Sequence, residues 1–220
     1  MKVILYASAI RSLMYDMLCI RLDIYFAVGR EHWTVVKHII KYLKRTRDCM
    51  LVYHSGDLAP IGYTDTNFQS DRDSRKSTLG YVFTVGGGSI SWRSIKQSCI
   101  VDSTMEAEYV AVSEAAKEDV WLGNILKELN VVHSVQTSIV LYCDNSDAVA
   151  NSKEPRIHKR SKHIELKYHL IRDVTQRGGA RVLKHTSEDN LADPFTKSLP
   201  QKIFDKHVEG MGTRIVDAWL

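Results

Sequence analysis

The spacing of apolar positions changes along this chain, and the changes mark its parts. In REHWTVVKHIIKYLKRTRD, Val35, Val36, Ile39, Ile40 and Leu43 share one stripe while Lys37, Lys41, Lys44 and Arg45 fall elsewhere, the pattern of an amphipathic helix. Residues 1–55 read as helical up to SGDLAP at 55–60, a Gly/Pro break and a domain boundary. Beyond it the period shortens to two. IGYTDTNF alternates as a strand does, GYVFTVGGGSISWRS is two β-rich runs around Gly86-Gly87-Gly88 and predicts a hairpin, and QSCIVD could supply a third strand. The helical period then returns. Val110, Val112, Ala115, Ala116, Val120, Ile125, Leu126 and Leu129 predict a long helix from about 104 to 129. SIVLYCD is a short apolar run ending in an acid, as a buried parallel strand would be. A helix over 158–177, a strand at ARVLKH and a last helix over 187–198 complete the pattern. Three antiparallel strands, helix, strand, helices, strand, helix predict an α/β fold. It is a mixed sheet flanked by helices, with a short helical N-terminal extension.

Composition adds bounds. A chain of 220 residues, 25% charged and 44% hydrophobic, is an ordinary globular protein of one domain, or of one domain with an extension. The net charge of +4 is unevenly spread: residues 153–184 hold ten Lys and Arg against Glu154, Glu165 and Asp173. One basic block on a slightly acidic body suggests a polyanionic partner, although a solvated helix face has the same composition. Cys19, Cys49, Cys99 and Cys143 are scattered, with no C-x-x-C pair, which fits small core residues in a reducing intracellular compartment. Arg11 and Asp16 interrupt the apolar run at 3–20, so neither a signal peptide nor a membrane span is expected.

Candidate chemistry begins at STMEAEY. Glu106 and Glu108 stand roughly 200° apart on a helix, so they cannot face the same thing. Ser103-Thr104-Met105-Glu106 is a capping box, which gives Glu106 a structural task. Glu108 lies on the face of Ala111, Val112 and Ala115, where a carboxylate is costly unless a cation meets it. Asp65 follows the alternating IGY, Asp144 ends an apolar strand, and Asp193 lies in DNLADPFTK. Carboxylates gathered from separate elements need divalent cations, and oxygen ligands favour Mg²⁺ or Mn²⁺ over zinc. Each acid also has a plainer reading. Asp65 could be a turn residue, Asp144-Asn145-Ser146 could cap the next helix, and Asp193-Pro194 could be a cap followed by proline at the first helical position.

Resemblance separates these readings. GYTDTNFQSDRDSRKSTLGYVFTVGGGSISWRS, STMEAEYVA, LYCDNSDAVA, HKRSKHIELKYHLIR and NLADPFTK occur in order. Together they closely resemble the ribonuclease H domain of copia-type retrotransposon Pol polyproteins, especially those of plants. The match covers about residues 60–200, and residues 201–220 look like the tail of such a polyprotein. The resemblance implies a ribonuclease H-like fold with a site holding two Mg²⁺ ions, or Mn²⁺ in their place. Its acids fall on Asp65, Glu108, Asp144 and Asp193. Glu108 is chosen because Glu108-Tyr109-Val110-Ala111 fits the family's E-x-x-A pattern and Glu106 does not.

Residues 1–55 resemble the end of the preceding reverse transcriptase, through YASAIRSLMY and REHWTVVKHIIKYLKRTRD. Here the chain departs from the family: the usual R-P-D-I is Arg21-Leu22-Asp23-Ile24, and a short segment between FAVG and REHW is missing. The segment is expected to be a remnant that packs poorly or serves as a hydrophobic flank. No Tyr-x-Asp-Asp polymerase motif is present, so polymerisation is not expected of these residues.

The implied activity is cleavage of the RNA strand of an RNA–DNA hybrid, with the 2′-hydroxyl as the mark of RNA. The implied partners are that hybrid and the upstream reverse transcriptase. Arg156, Lys159, Arg160, Lys162 and Lys167, with Arg75 and Lys76, are candidates for holding phosphates. His158, His163 and His169 lack metal-ligand spacing, and His185, the only proton-shuttle candidate near Asp193, reads more simply as a strand-end residue. The rival readings are a hybrid- or protein-binding module without turnover and an integrase-like transesterase, which has no place for Asp193.

Overall fold

The computed structural model describes residues 6–28, 33–55, 58–129, 139–153, 170–171, 173–175 and 179–215. Strands β2 (Ile61–Asn67), β3 (Thr78–Val85), β4 (Gly88–Lys96), β5 (Ile139–Cys143) and β6 (Ala180–Lys184) form a five-stranded sheet in the order β4-β3-β2-β5-β6. β2–β3 and β3–β4 pair antiparallel, whereas β2–β5 and β5–β6 pair parallel. The β3–β4 hairpin turns at Gly86 and Gly87, whose φ values of 55° and 76° suit a two-residue turn that L side chains resist. This is the mixed sheet read from the periodicity.

Helix α4 (Thr104–Glu128) covers one face of the sheet. Ala107, Ala111 and Ala115 repeat every four residues and are fully buried, so small side chains let the helix come close to β2, β3 and β5. Its cap works largely as expected. Ser103 Oγ accepts from Glu106 N–H at 3.2 Å, but the Glu106 carboxylate accepts from Asp102 N–H at 3.0 Å, one residue before the cap. Helix α5 (Ser146–Lys153) packs on the same side.

The opposite face is covered by both ends of the described chain. α1 (Tyr6–Cys19), a 3-10 turn (Leu22–Ile24), α2 (Tyr25–Val28) and α3 (Trp33–Arg45) hold their own cluster of Leu13, Met17, Ile24, Val36 and Ile39. Leu22 is buried with Val82, Phe195, Val208 and Met211. Trp92 Nε1 donates to Met17 O at 2.8 Å, and β1 (Cys49–Leu51) pairs antiparallel with β7 (Thr213–Ile215), just after α6 (Gln201–Gly210). Leu22, with Tyr25 and Leu51 packed beside it, thus joins the N-terminal segment to the cluster on this face of the sheet.

Three local expectations are corrected. QSCIVD forms no strand: Gln97 N–H still donates to Ser77 O at 2.8 Å, its side-chain Nε2 donates to Ala107 O at 2.9 Å, and the residues after it are irregular up to α4. Residues 187–198 form two 3-10 turns, Ser187–Asp189 and Asp193–Phe195, instead of a helix. Cys19 is exposed, not a core residue, while Cys143 is fully buried. Of the helix expected at 158–177, residues 170–171 and 173–175 are helical, and the remainder lies outside the described residues. No helix among the described residues is long and apolar enough to cross a membrane.

Candidate functional site

Strand register brings the first two acids together. Thr64 on β2 pairs with Cys143 on the parallel β5, so the next step along each strand sets Asp65 beside Asp144. Neighbouring strands lie about 4.8 Å apart, well within reach of two carboxylates. Asn145, not Asp144, caps α5: its Oδ1 accepts from the N–H groups of Asp147 and Ala148, both at 3.0 Å. Asp144 is left to accept from Ser187 Oγ at 2.8 Å, and its backbone oxygen accepts from Lys184 Nζ.

Glu108 arrives from α4 because the alanine stripe lets the helix sit low. Its Oε1 accepts from Thr66 N–H at 3.1 Å and from Thr66 Oγ1 at 2.7 Å, which ties the helix to the end of β2. Glu106 faces away to its cap. The two glutamates therefore divide as their spacing requires.

Asp193 arrives from the other face on a turn sewn to the sheet. Asn190 Nδ2 donates to Thr64 O at 2.9 Å, Asn67 Nδ2 to Thr196 O at 3.3 Å, Ser94 Oγ to Phe195 O, and Thr196 Oγ1 to Asp65 Oδ2. Gly80, the β3 partner of Asp65, makes the room: a Cβ there would lie 2.7 Å from Phe195 Cβ and 2.9 Å from Thr196 Cγ2. Lys197, one helical turn past Asp193, places Nζ 3.0 Å from Asp193 Oδ2 and 3.7 Å from Asp65 Oδ1.

The electrostatics describe carboxylates held against their preference. Burial, then the charge of Asp193, pushes Asp65 up to about 7, although Lys197 and Thr196 pull the other way. Burial and the charges of Asp65 and Asp144 hold Glu108 well above the usual carboxylate range, against its bonds from Thr66. Asp193 is also raised by burial, and its buried Oδ1 has no hydrogen-bond partner among the described residues. Burial alone would lower Lys197, but Asp65 and Asp193 raise it. Such a group can be relieved by protons or by metal cations.

The donor set fits a hard cation. Glu108, Cys143 and Asp144 offer ligand atoms all within 4.8 Å of one another, and Asp65 and Asp193 add oxygens from the adjoining side. Cys143 Sγ donates to Glu108 Oε2 at 3.8 Å, and burial, then the charge of Glu108, holds its thiol far above the usual range. The carboxylates supply oxygen donors, the type that hard divalent cations take.

The other candidates scatter. Arg75 and Lys76 lie on the loop between β2 and β3, Arg75 exposed and at φ 53°. Arg156, Lys159, Arg160, Lys162 and Lys167, like His158, His163 and His169, lie outside the described residues. His185 stacks on Tyr142 with ring centroids 4.6 Å apart, the strand-end position expected of it. Lys197, Thr66 and Thr196 escaped the sequence reading. Only the four-residue spacing of Asp193 and Lys197 signalled any of them.

No protein-family model matches the chain. It is 43% identical over 218 residues to the Retrovirus-related Pol polyprotein from transposon TNT 1-94 of Nicotiana tabacum, covering 94% of this chain and 16% of that protein. It is 34% identical over 218 residues to the polyprotein from transposon RE2 of Arabidopsis thaliana, covering 94% of this chain and 15% of the relative. The chain thus spans about a sixth of these relatives. Among solved structures, LC11 ribonuclease H1 isolated from compost aligns over 69% of this chain and 99% of its own, at 18% identity and a TM-score of 0.48. That likeness is too loose to argue from, and the fold stands on its own strand order.

Proposed function

For a chain that belongs with the plant retrotransposon Pol polyproteins, we propose the work of a copia-type ribonuclease H: metal-dependent cleavage of the RNA strand of RNA–DNA hybrids. One observation carries this reading. Asp65, Glu108, Asp144 and Asp193 come from four separate elements and both faces of the sheet, yet meet where the fold leaves their charge unbalanced.

In this reading the four acids hold two Mg²⁺ ions, or Mn²⁺. When bound, the ions supply charge for activating water and for stabilising the leaving 3′-oxygen of a phosphodiester. The chain does the rest by positioning. Thr66 fixes one oxygen of Glu108, Thr196 fixes one of Asp65, and Ser187 fixes one of Asp144, which sets the orientation of each carboxylate. Arg75 and Lys76 approach the hybrid from the exposed β2–β3 loop, and the basic run from Arg156 to Lys167 supplies further phosphate contacts. The upstream reverse transcriptase of the same polyprotein is the protein partner.

The test is cleavage of a labelled RNA–DNA hybrid with Mg²⁺ by wild type, Glu108→Gln and Glu106→Gln. Loss of more than about a hundredfold is expected for Glu108→Gln. Glu106→Gln is expected to keep activity and lose only helix-cap stability. A folded wild type that binds the hybrid and leaves it intact would favour the binding module instead, and loss confined to Glu106→Gln would overturn the division between the glutamates.

A further inference from the structure

Four acids explain the proposed chemistry, but the site also contains a cation that chemistry does not require. Lys197 sits on the Asp193 turn with its own N–H donating to Asp193 O at 3.2 Å, so backbone and side chain both point back to the acid four residues before it. Its Nζ bridges Asp193 and Asp65, whose side chains are only 8% and 2% exposed. The side chain also lines a cavity of about 260 Å³ between the turn and the N-terminal segment, beside Ile24, Phe26, Ile39, Pro194 and Phe204. That cavity is mostly apolar, though Asp23, His38, Tyr42 and Gln201 also line it, and the Lys197 side chain is 35% exposed, so its contacts with the two carboxylates rather than confinement set where the ammonium rests.

A divalent cation between Asp65 and Asp193 would have to share a space a few ångströms across with this ammonium. Like charges at such range in a half-buried site repel strongly. We propose that Lys197 is a built-in counter-ion that neutralises the Asp65–Asp193 pair until metal arrives and must be displaced for metal to bind. This inference rests on the metal-site reading above. Metal binding is then an exchange of one cation for another, and the lysine sets how much free metal the site requires. The folded metal-free state keeps its acids together at the cost of weaker metal affinity.

The test is Mn²⁺ titration by calorimetry without nucleic acid, on wild type, Lys197→Met, Lys197→Gln and Lys197→Arg, with thermal melts in EDTA alongside. A site relieved of its competitor is expected to bind Mn²⁺ roughly tenfold tighter or more in Lys197→Met and Lys197→Gln, while both melt lower than wild type in EDTA. Lys197→Arg, which keeps the charge, is expected to stay near wild type. Unchanged or weaker Mn²⁺ binding in a folded Lys197→Met or Lys197→Gln would overturn the counter-ion role while leaving the metal site standing. If folded wild type and folded Lys197→Met both fail to bind Mn²⁺, the metal reading falls and the counter-ion falls with it.

Discussion

Replacing Asp65 by Asn should make the metal-free protein more stable at neutral pH. An ordinary aspartate titrates near 3.8, whereas burial and Asp193 lift Asp65 to about 7 in the folded state. A raised carboxyl binds its proton more tightly folded than unfolded, so its favourable effect is complete below the unfolded value. That effect is lost as pH climbs from about 4 to about 7. Three units at 1.36 kcal/mol each set a ceiling of ~4 kcal/mol. The pull of Lys197 is already contained in that value, so the gain expected at pH 7.5 is up to ~4 kcal/mol. The assay is urea denaturation in EDTA at steps from pH 4.5 to 8, comparing wild type and Asp65→Asn. The wild-type curve should fall more steeply with pH, and the two should cross on the acid side. Glu108 has the same sign and adds to the slope in both proteins. Excess Mn²⁺ should stabilise wild type by mass action and do less for the variant. Parallel pH curves, or an Asp65→Asn protein less stable than wild type at pH 7.5 in EDTA, would refute the reasoning.

Two more substitutions test the packing. Leu22→Ala should cost about 2–5 kcal/mol by urea denaturation, in the same transition that unfolds the sheet, because Leu22 is buried against Val82 and Phe195. Gly80→Ala should cost about 1–3 kcal/mol and weaken Mn²⁺ binding in calorimetry, because its methyl group must displace Phe195 and Thr196 and with them the turn bearing Asp193.

Much of this could be read from the chain because local and tertiary forces agree. Helix α4 shows in its period because one stripe packs on the sheet, and its cap shows because Ser103 and Glu106 act within four residues of each other. The turn at 187–198 imitates a helix in sequence, since Leu191 and Phe195 stand four residues apart. Both instead pack in the cluster on the second face, and the backbone is held by bonds from Asn190, Asn67 and Ser94. Lys197 is half legible: a lysine four residues after an acid suggests a pair, but Asp65 lies 132 positions away and joins only through the fold. Cys143 beside Glu108, and the bonds from Thr66, depend on how low a helix rides on a strand. Spacing along the chain carries no trace of that height.

The β1–β7 pairing also dictates an order of events during synthesis. Cys49 pairs with Ile215, and Val52 N–H donates to Gly212 O at 2.9 Å, so this seam stays open until nearly all of the described chain has left the ribosome. The early helices can gather their own cluster of Leu13, Met17, Ile24, Val36 and Ile39 at once, since those contacts are local. Leu22 must wait for Val208 and Met211. Leu22 and β1 therefore stay uncovered from their own synthesis until residues 208–215 have emerged, and any pause within that stretch lengthens the exposure.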